Sequence, residues 1–151
     1  MSLQVSLFAS VINIDELAKK LPSNKHLLVF IHTTDCGYCE SMIEFTFDNE
    51  KNAKLMKEKF QYIHINVKEE GTVSYKDFTG SHKEFAIYIK RNIYPSTLYF
   101  DSKANKVFAH SGYVDEDNYY DILTYIDTKS YTSMRLSNYI KQQSKSKWEQ
   151  A

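Results

Sequence analysis

The chain has 151 residues, the size of one domain, and such a domain typically buries about 68–70% of the surface its unfolded chain exposes. Nineteen lysines and arginines balance nineteen aspartates and glutamates, so the cationic excess of a nucleic-acid binder is missing. Hydrophobic residues make up 42%, which excludes disorder by composition, and the apolar runs fall far short of the ~20 residues that span a bilayer.

The first ten residues lack the basic segment of a signal peptide. Two settings fit: a cytoplasmic protein, or an exported one whose signal is not part of this sequence, with Met1 to Leu3 as an added start. Residues 13–21 then read as a short helix, with Asn13 and Glu16 as a capping pair, Ile14, Leu17 and Leu21 on one face, and Pro22 as its stop. Leu27 to Ile31 is an unbroken apolar run, as expected of a central strand covered on both faces. A helix is expected from Cys36, burying Met42, Ile43 and Phe45 or Phe47. Asp48 is expected to cap the next one, which carries Ala53, Met56 and Phe60 on one face.

Tyr62 to Val67 alternates, with Ile63, Ile65 and Val67 on one side, and reads as a strand. Residues 69–80, containing Gly71 and Gly80, read as a polar loop. Ser81 and Glu84 form a capping box that opens a helix with Phe85, Tyr88 and Ile89. Tyr94-Pro95 breaks the chain before a strand over Ser96 to Phe100. Lys103 to Asn105 is a turn, and Val107 to Ser111 its hairpin partner. Asp115, Glu116 and Asp117 open a helix with Tyr119, Ile122, Leu123 and Ile126 at i, i+3, i+4 and i+7. Residues 130–151 carry a weaker helical pattern in Leu136, Tyr139 and Ile140 that fades into a polar, fraying tail. With no repeat and no linker, the expectation is one domain over 1–151, its core at about 24–127 and 130–151 as a C-terminal extension.

The only two cysteines, Cys36 and Cys39, form Cys-Gly-Tyr-Cys directly after the apolar strand. Two intervening residues is a redox or metal spacing. Zinc needs about four ligands, and the sequence offers neither a second such pair nor a His-x₃₋₅-His pair. A structural disulfide closing so short a loop would add little stability. Free amides at a helix N-terminus stabilise a thiolate, which favours Cys36 as nucleophile and places Cys39 in the first turn to resolve a mixed disulfide. His32 either raises thiolate character or is ordinary surface. Asp35 is either an opposing charge or a solvated loop carboxylate. Tyr38 either touches a partner or fills the dipeptide. His64, His82 and His110 show no ligand spacing.

The sequence resembles the thioredoxin-fold oxidoreductases, in particular thioredoxin-related proteins of the SoxW type and the C-terminal domain of DsbD-type reductases. The resemblance rests on Leu28-Val29-Phe30-Ile31 before the cysteines, Tyr94-Pro95-Ser96-Thr97-Leu98-Tyr99-Phe100, and Gly112-Tyr113 before the last core helix. It implies an α/β fold with a central mixed sheet flanked by helices. It also implies that Pro95 is cis and faces the cysteines, with substrate contacts at Gly37, Tyr38, Tyr94 and Pro95. Three departures stand out. Asp35 replaces the usual tryptophan, Tyr94 a smaller residue, and Phe30 a buried carboxylate that helps move a proton to the second cysteine. Water or another acidic group would then have to serve.

The function expected is reduction of protein disulfides by Cys36 and Cys39, with no bound cofactor, no metal and an upstream electron donor. The alternatives are an oxidase or isomerase, or a non-catalytic binding module. A monomer without nucleic-acid or membrane partners is expected. The resemblance favours an extracytoplasmic, periplasmic location.

Overall fold

The computed structural model describes residues 10–149; the N-terminal reading of residues 1–9 and the last two residues of the tail lie outside them. A strand β1 (Val11–Asn13) leads straight into α1 (Ile14–Lys19), where Asn13 Oδ1 accepts from the Glu16 amide at 3.0 Å. The apolar run forms β2 (His26–His32) at the centre of a four-stranded sheet. Its neighbours are β3 (Phe60–Asn66), parallel, and β6 (Ser96–Phe100), antiparallel, with β7 (Lys106–Ser111) outside β6. Leu27, Val29 and Ile31 enter one hydrophobic cluster, while Leu28 and Phe30 enter the other. Burial on both faces is why this strand reads as a continuous apolar run.

The helix after the motif begins as α2 (Gly37–Ser41) and continues as a π-helical turn over Met42–Phe47. Hydrogen bonding from i to i+5 sets Met42 and Phe47 above one another, both buried, and turns Ile43 and Phe45 outward. An ordinary α-helical period does not anticipate this. The cap of α3 (Glu50–Lys59) is Asn49, whose Oδ1 accepts from the amides of Lys51 and Asn52, rather than Asp48.

Residues 69–80 are the largest correction, because they are mostly a hairpin. Strands β4 (Thr72–Tyr75) and β5 (Phe78–Ser81) pair antiparallel across Lys76-Asp77, and β4 also pairs parallel with β1. Val73 and Tyr75 are buried, and the Lys76 amide donates to Asp15 at 2.6 Å. Gly71 read as loop punctuation, but it marks a close approach. At φ 150° a Cβ there would lie 2.7 Å from His82 Nε2.

The capping box at Ser81 and Glu84 opens α4 (His82–Tyr88) with both reciprocal bonds present. Phe85 and Ile89 are buried, whereas Tyr88 is half exposed and stacks on Phe78 with centroids 4.6 Å apart. Asp115 caps α5 (Glu116–Asp127), whose Tyr119, Ile122, Leu123 and Ile126 are all buried.

Beyond α5 the chain is anchored back onto that helix and β2. A 3₁₀ turn (Ser130–Thr132) precedes α6 (Leu136–Glu149), so the fading tail is helical to Glu149. Tyr131 hydroxyl meets His26 Nε2 at 2.7 Å, Tyr125 donates to Met134 O at 2.7 Å, and Tyr139 donates to Thr124 Oγ1 at 2.9 Å. Tyrosine suits this seam because its ring is buried while its hydroxyl finds a partner. Among the described residues no helix is long and apolar enough to cross a membrane.

Candidate redox site

The end of β2 carries the site. Asp35 adopts the left-handed region at φ 59°, which redirects the chain so that Cys36 becomes the N-cap of α2. Cys36 and Cys39 are disulfide-bonded, with Cα atoms 5.2 Å apart. The Cys39 amide donates to Cys36 Sγ at 3.1 Å, as an N-cap side chain does for the first turn. The two sulfurs are not equivalent. Cys39 is 1% exposed within the cluster that holds Phe30, Met42 and Phe47, whereas Cys36 sits at its half-buried edge.

The antiparallel register of β2 and β6 pairs Ile31 with Ser96, so Pro95 lies at the same end of the sheet as the motif. The Tyr94–Pro95 bond is cis. Pro95 O accepts from the Gly112 amide at 2.7 Å, and Gly112, at φ 100°, turns the chain out of β7. The next residue, Tyr113, reaches Tyr38, with ring centroids 6.2 Å apart. Tyr94 packs against both hydrophobic clusters, and its phenol is pushed above its ordinary pKa by burial. Thus Cys36, Cys39, Tyr38, Tyr94 and Pro95 share one end of the fold. Gly37 is exposed, and a Cβ there would meet no atom within 4 Å, so no close approach requires glycine.

His32 is neither plain surface nor free. Its Nε2 shares a 2.9 Å hydrogen bond with His64 Nδ1, and its ring stacks on Phe30 with centroids 5.3 Å apart. Burial first, then the nearby His64, holds its pKa below the ordinary value against an opposing pull from Glu69. Asp35 is exposed, as a solvated loop carboxylate should be. Among the described residues no group of three or more His, Cys, Asp or Glu side chains is placed to hold a metal ion.

Residue-by-residue reading missed the brace behind the site. Thr46 Oγ1 donates to Val114 O at 2.6 Å, and Asn52 Nδ2 donates to Thr46 O and Glu116 O at 2.9 and 3.0 Å. These bonds tie the π turn to the loop carrying Tyr113. An asparagine among charged helix residues gives no signal of a partner 64 positions away. Asn52→Ala should leave the buried carbonyl of Thr46 unpaired and cost about 1–3 kcal/mol of stability, read as a lower urea midpoint. A midpoint equal to wild type would show that the brace carries no load.

A disulfide capping the helix that follows a doubly covered central strand is the arrangement of a thioredoxin-like fold. The chain belongs to the thioredoxin-like domain family, whose match covers residues 15–127. A thioredoxin-fold protein from Helicobacter pylori is similar with a TM-score of 0.68 at 20% identity, over 82% of this chain and 87% of that one. A thioredoxin from Thermus thermophilus gives 0.59 at 17% identity, over 78% and 86%. The reduced DsbD C-terminal domain from Neisseria meningitidis gives 0.53 at 15%, over 74% and 88%. At these identities the likeness is one of fold. No curated protein sequence matches the chain.

Proposed function

We propose that the protein is a thiol–disulfide oxidoreductase that reduces protein disulfides. The observation that supports this best is the asymmetry of the cysteine pair: one sulfur at the solvent edge of a helix N-terminus, the other shielded within the first turn. In the reduced form, Cys36 as thiolate attacks one sulfur of the target disulfide. A mixed disulfide forms, and the target's other sulfur leaves as a thiolate that takes a proton. Cys39, losing its proton, then attacks Cys36 Sγ. The Cys36–Cys39 disulfide closes and the second target thiol departs. Two electrons have passed to the target, and an upstream dithiol donor restores the reduced pair.

Pro95 and the backbone of Tyr94 form the wall against which an extended substrate pairs, as in β-augmentation, with Gly37 and Tyr38 at its mouth. A monomer in an extracytoplasmic compartment, where protein disulfides form and persist, completes the proposal. No cofactor is required for this exchange.

The test is insulin reduction with dithiothreitol as donor, alongside iodoacetamide labelling of the reduced protein against pH. Wild type should precipitate insulin, Cys36→Ser should not, and Cys36 should alkylate first with an apparent pKa below the ~8.5 of a free thiol. Preferential labelling of Cys39, or full activity in Cys36→Ser, would overturn the roles assigned. Equilibration with glutathione buffers fixes the direction, and a potential well above that of glutathione would favour an oxidase.

A further inference from the structure

The surface beside the disulfide is both apolar and acidic. Tyr38 is 70% exposed, Phe45 57% and Tyr113 42%, whereas Ile43 lines a separate groove with Met56, Lys57 and Tyr62. The Tyr38–Tyr113 contact, the Thr46–Val114 bond and the Asn52 bridge join the two segments that carry them into one face. Residues 33–50 contain five carboxylates and no lysine or arginine, and residues 112–121 contain four carboxylates and again no lysine or arginine. In a chain with net charge +0, that is a strong local bias. Asp35, Glu40, Glu44 and Asp117 are exposed, and the one ion pair among the described residues is the remote Lys20–Glu16. Among the described residues no lysine or arginine pairs directly with a carboxylate of this rim.

We propose that this face docks a lysine- or arginine-bearing segment of the target protein, flanking the cysteine it reduces; the inference rests on the redox reading above. Two features of the face favour the same sign. Unpaired carboxylates attract cations, and exposed tyrosine rings accept them over their faces. The protein already uses that second contact at the border of the face, where Lys51 Nζ lies 4.1 Å from the Tyr120 ring centre. A second copy of the chain is disfavoured, because two such rims would meet with like charge. The opposite flank differs in sign. Lys90 and Arg91 precede Tyr94-Pro95, and Arg91 donates to Ser111 Oγ at 3.3 Å. The cationic segment is thus placed on the α2 and α5 side of the disulfide.

Three synthetic peptides with the same intramolecular disulfide, flanked on one side by lysines, glutamines or glutamates, provide the test. Reduced full-length protein is mixed with each, at low salt and at 0.5 M salt, and the second-order rate constants are compared. The lysine peptide should react about tenfold or more faster than the glutamate peptide at low salt, and the ratio should collapse at high salt. Glu44→Lys combined with Asp117→Lys should shrink or invert that ratio. Because the ratio is taken within one protein preparation, a general loss of activity does not imitate it. Equal rates for the three peptides, a salt-independent ratio, or preference for the uncharged peptide would overturn the proposal. So would a concentration-dependent dimer that the double variant abolishes, since a second copy would then own the face. Uncharged hydroxyethyl disulfide, reduced by wild type, separates the two readings. If it is not reduced at all, the redox assignment fails, whereas reduction without charge preference sinks only the docking face.

Discussion

Phe30→Asp is expected to cost about 4 kcal/mol or more of stability while speeding resolution of the mixed disulfide. The ring is fully buried beside Cys39, edge-on to Phe47 with centroids 4.9 Å apart and stacked on His32 at 5.3 Å. Deleting a buried phenylalanine typically costs about 3–5 kcal/mol, and a carboxylate placed there also loses its hydration. It would hold its proton well above the usual carboxylate range, so the penalty grows as pH rises through that raised pKa. A carboxyl group poised near neutrality is the kind of base that Cys39 lacks when it must give up its proton. Phe30→Leu keeps the site apolar and should cost much less, with no gain in rate. Guanidinium unfolding and rapid-quench trapping of the mixed disulfide with a model peptide measure the two effects. Unchanged resolution in the aspartate variant would mean that another group already relays the proton.

The candidate cysteine pair and the elements of the main sheet were legible because each carries a local signature. Leu27 to Ile31 reads as a strand covered twice, and the cysteine spacing needs no distant information. Ser81 and Glu84 announced their helix through a reciprocal bond between residues three apart. What was hidden depended on partners far along the chain. Thr72 to Tyr75 alternates weakly, and it becomes a strand because β1, some sixty residues earlier, supplies its hydrogen bonds. The outward turn of Ile43 and Phe45 follows from one π turn that no helical period encodes. Tyr113 looked like part of a family signature. Its role beside Tyr38 appeared only when Gly112 and the Thr46 brace fixed its loop. The face proposed to choose the target is therefore a tertiary property, whereas the cysteines that would act on it are a local one.

Lowering the pH from neutrality should destabilise the protein before most of its carboxylates are protonated, through His26 and His110. Both are held down to about 4 from an ordinary 6.5, chiefly by burial. Lys129 adds to the depression at His26 against a weaker opposing pull from Asp101, and Arg91 adds to it at His110. Each ring has one committed nitrogen and one idle one. His26 Nε2 meets Tyr131 hydroxyl, His110 Nε2 lies 3.3 Å from Tyr99 hydroxyl, and the Nδ1 atom of each is buried without a partner among the described residues. Protonation would put a charge on a ring whose second nitrogen has nothing to donate to. The unfolded chain binds these protons more readily than the folded one, so stability falls as pH drops below about 6.5 and levels off near 4. One pKa unit is worth about 1.4 kcal/mol, so His110 alone removes about 3 kcal/mol across that window, and His26 adds to the loss. Thermal melts at half-unit steps from pH 7.5 to 4 should show a steep fall in Tm. In His26→Gln combined with His110→Gln the fall should be much shallower, with only the share of His32, also held below its ordinary pKa, remaining, from a lower starting Tm because the two tyrosine contacts are altered. A wild-type Tm that holds steady to pH 4.5, or an equally steep fall in the double variant, would place the acid sensitivity elsewhere.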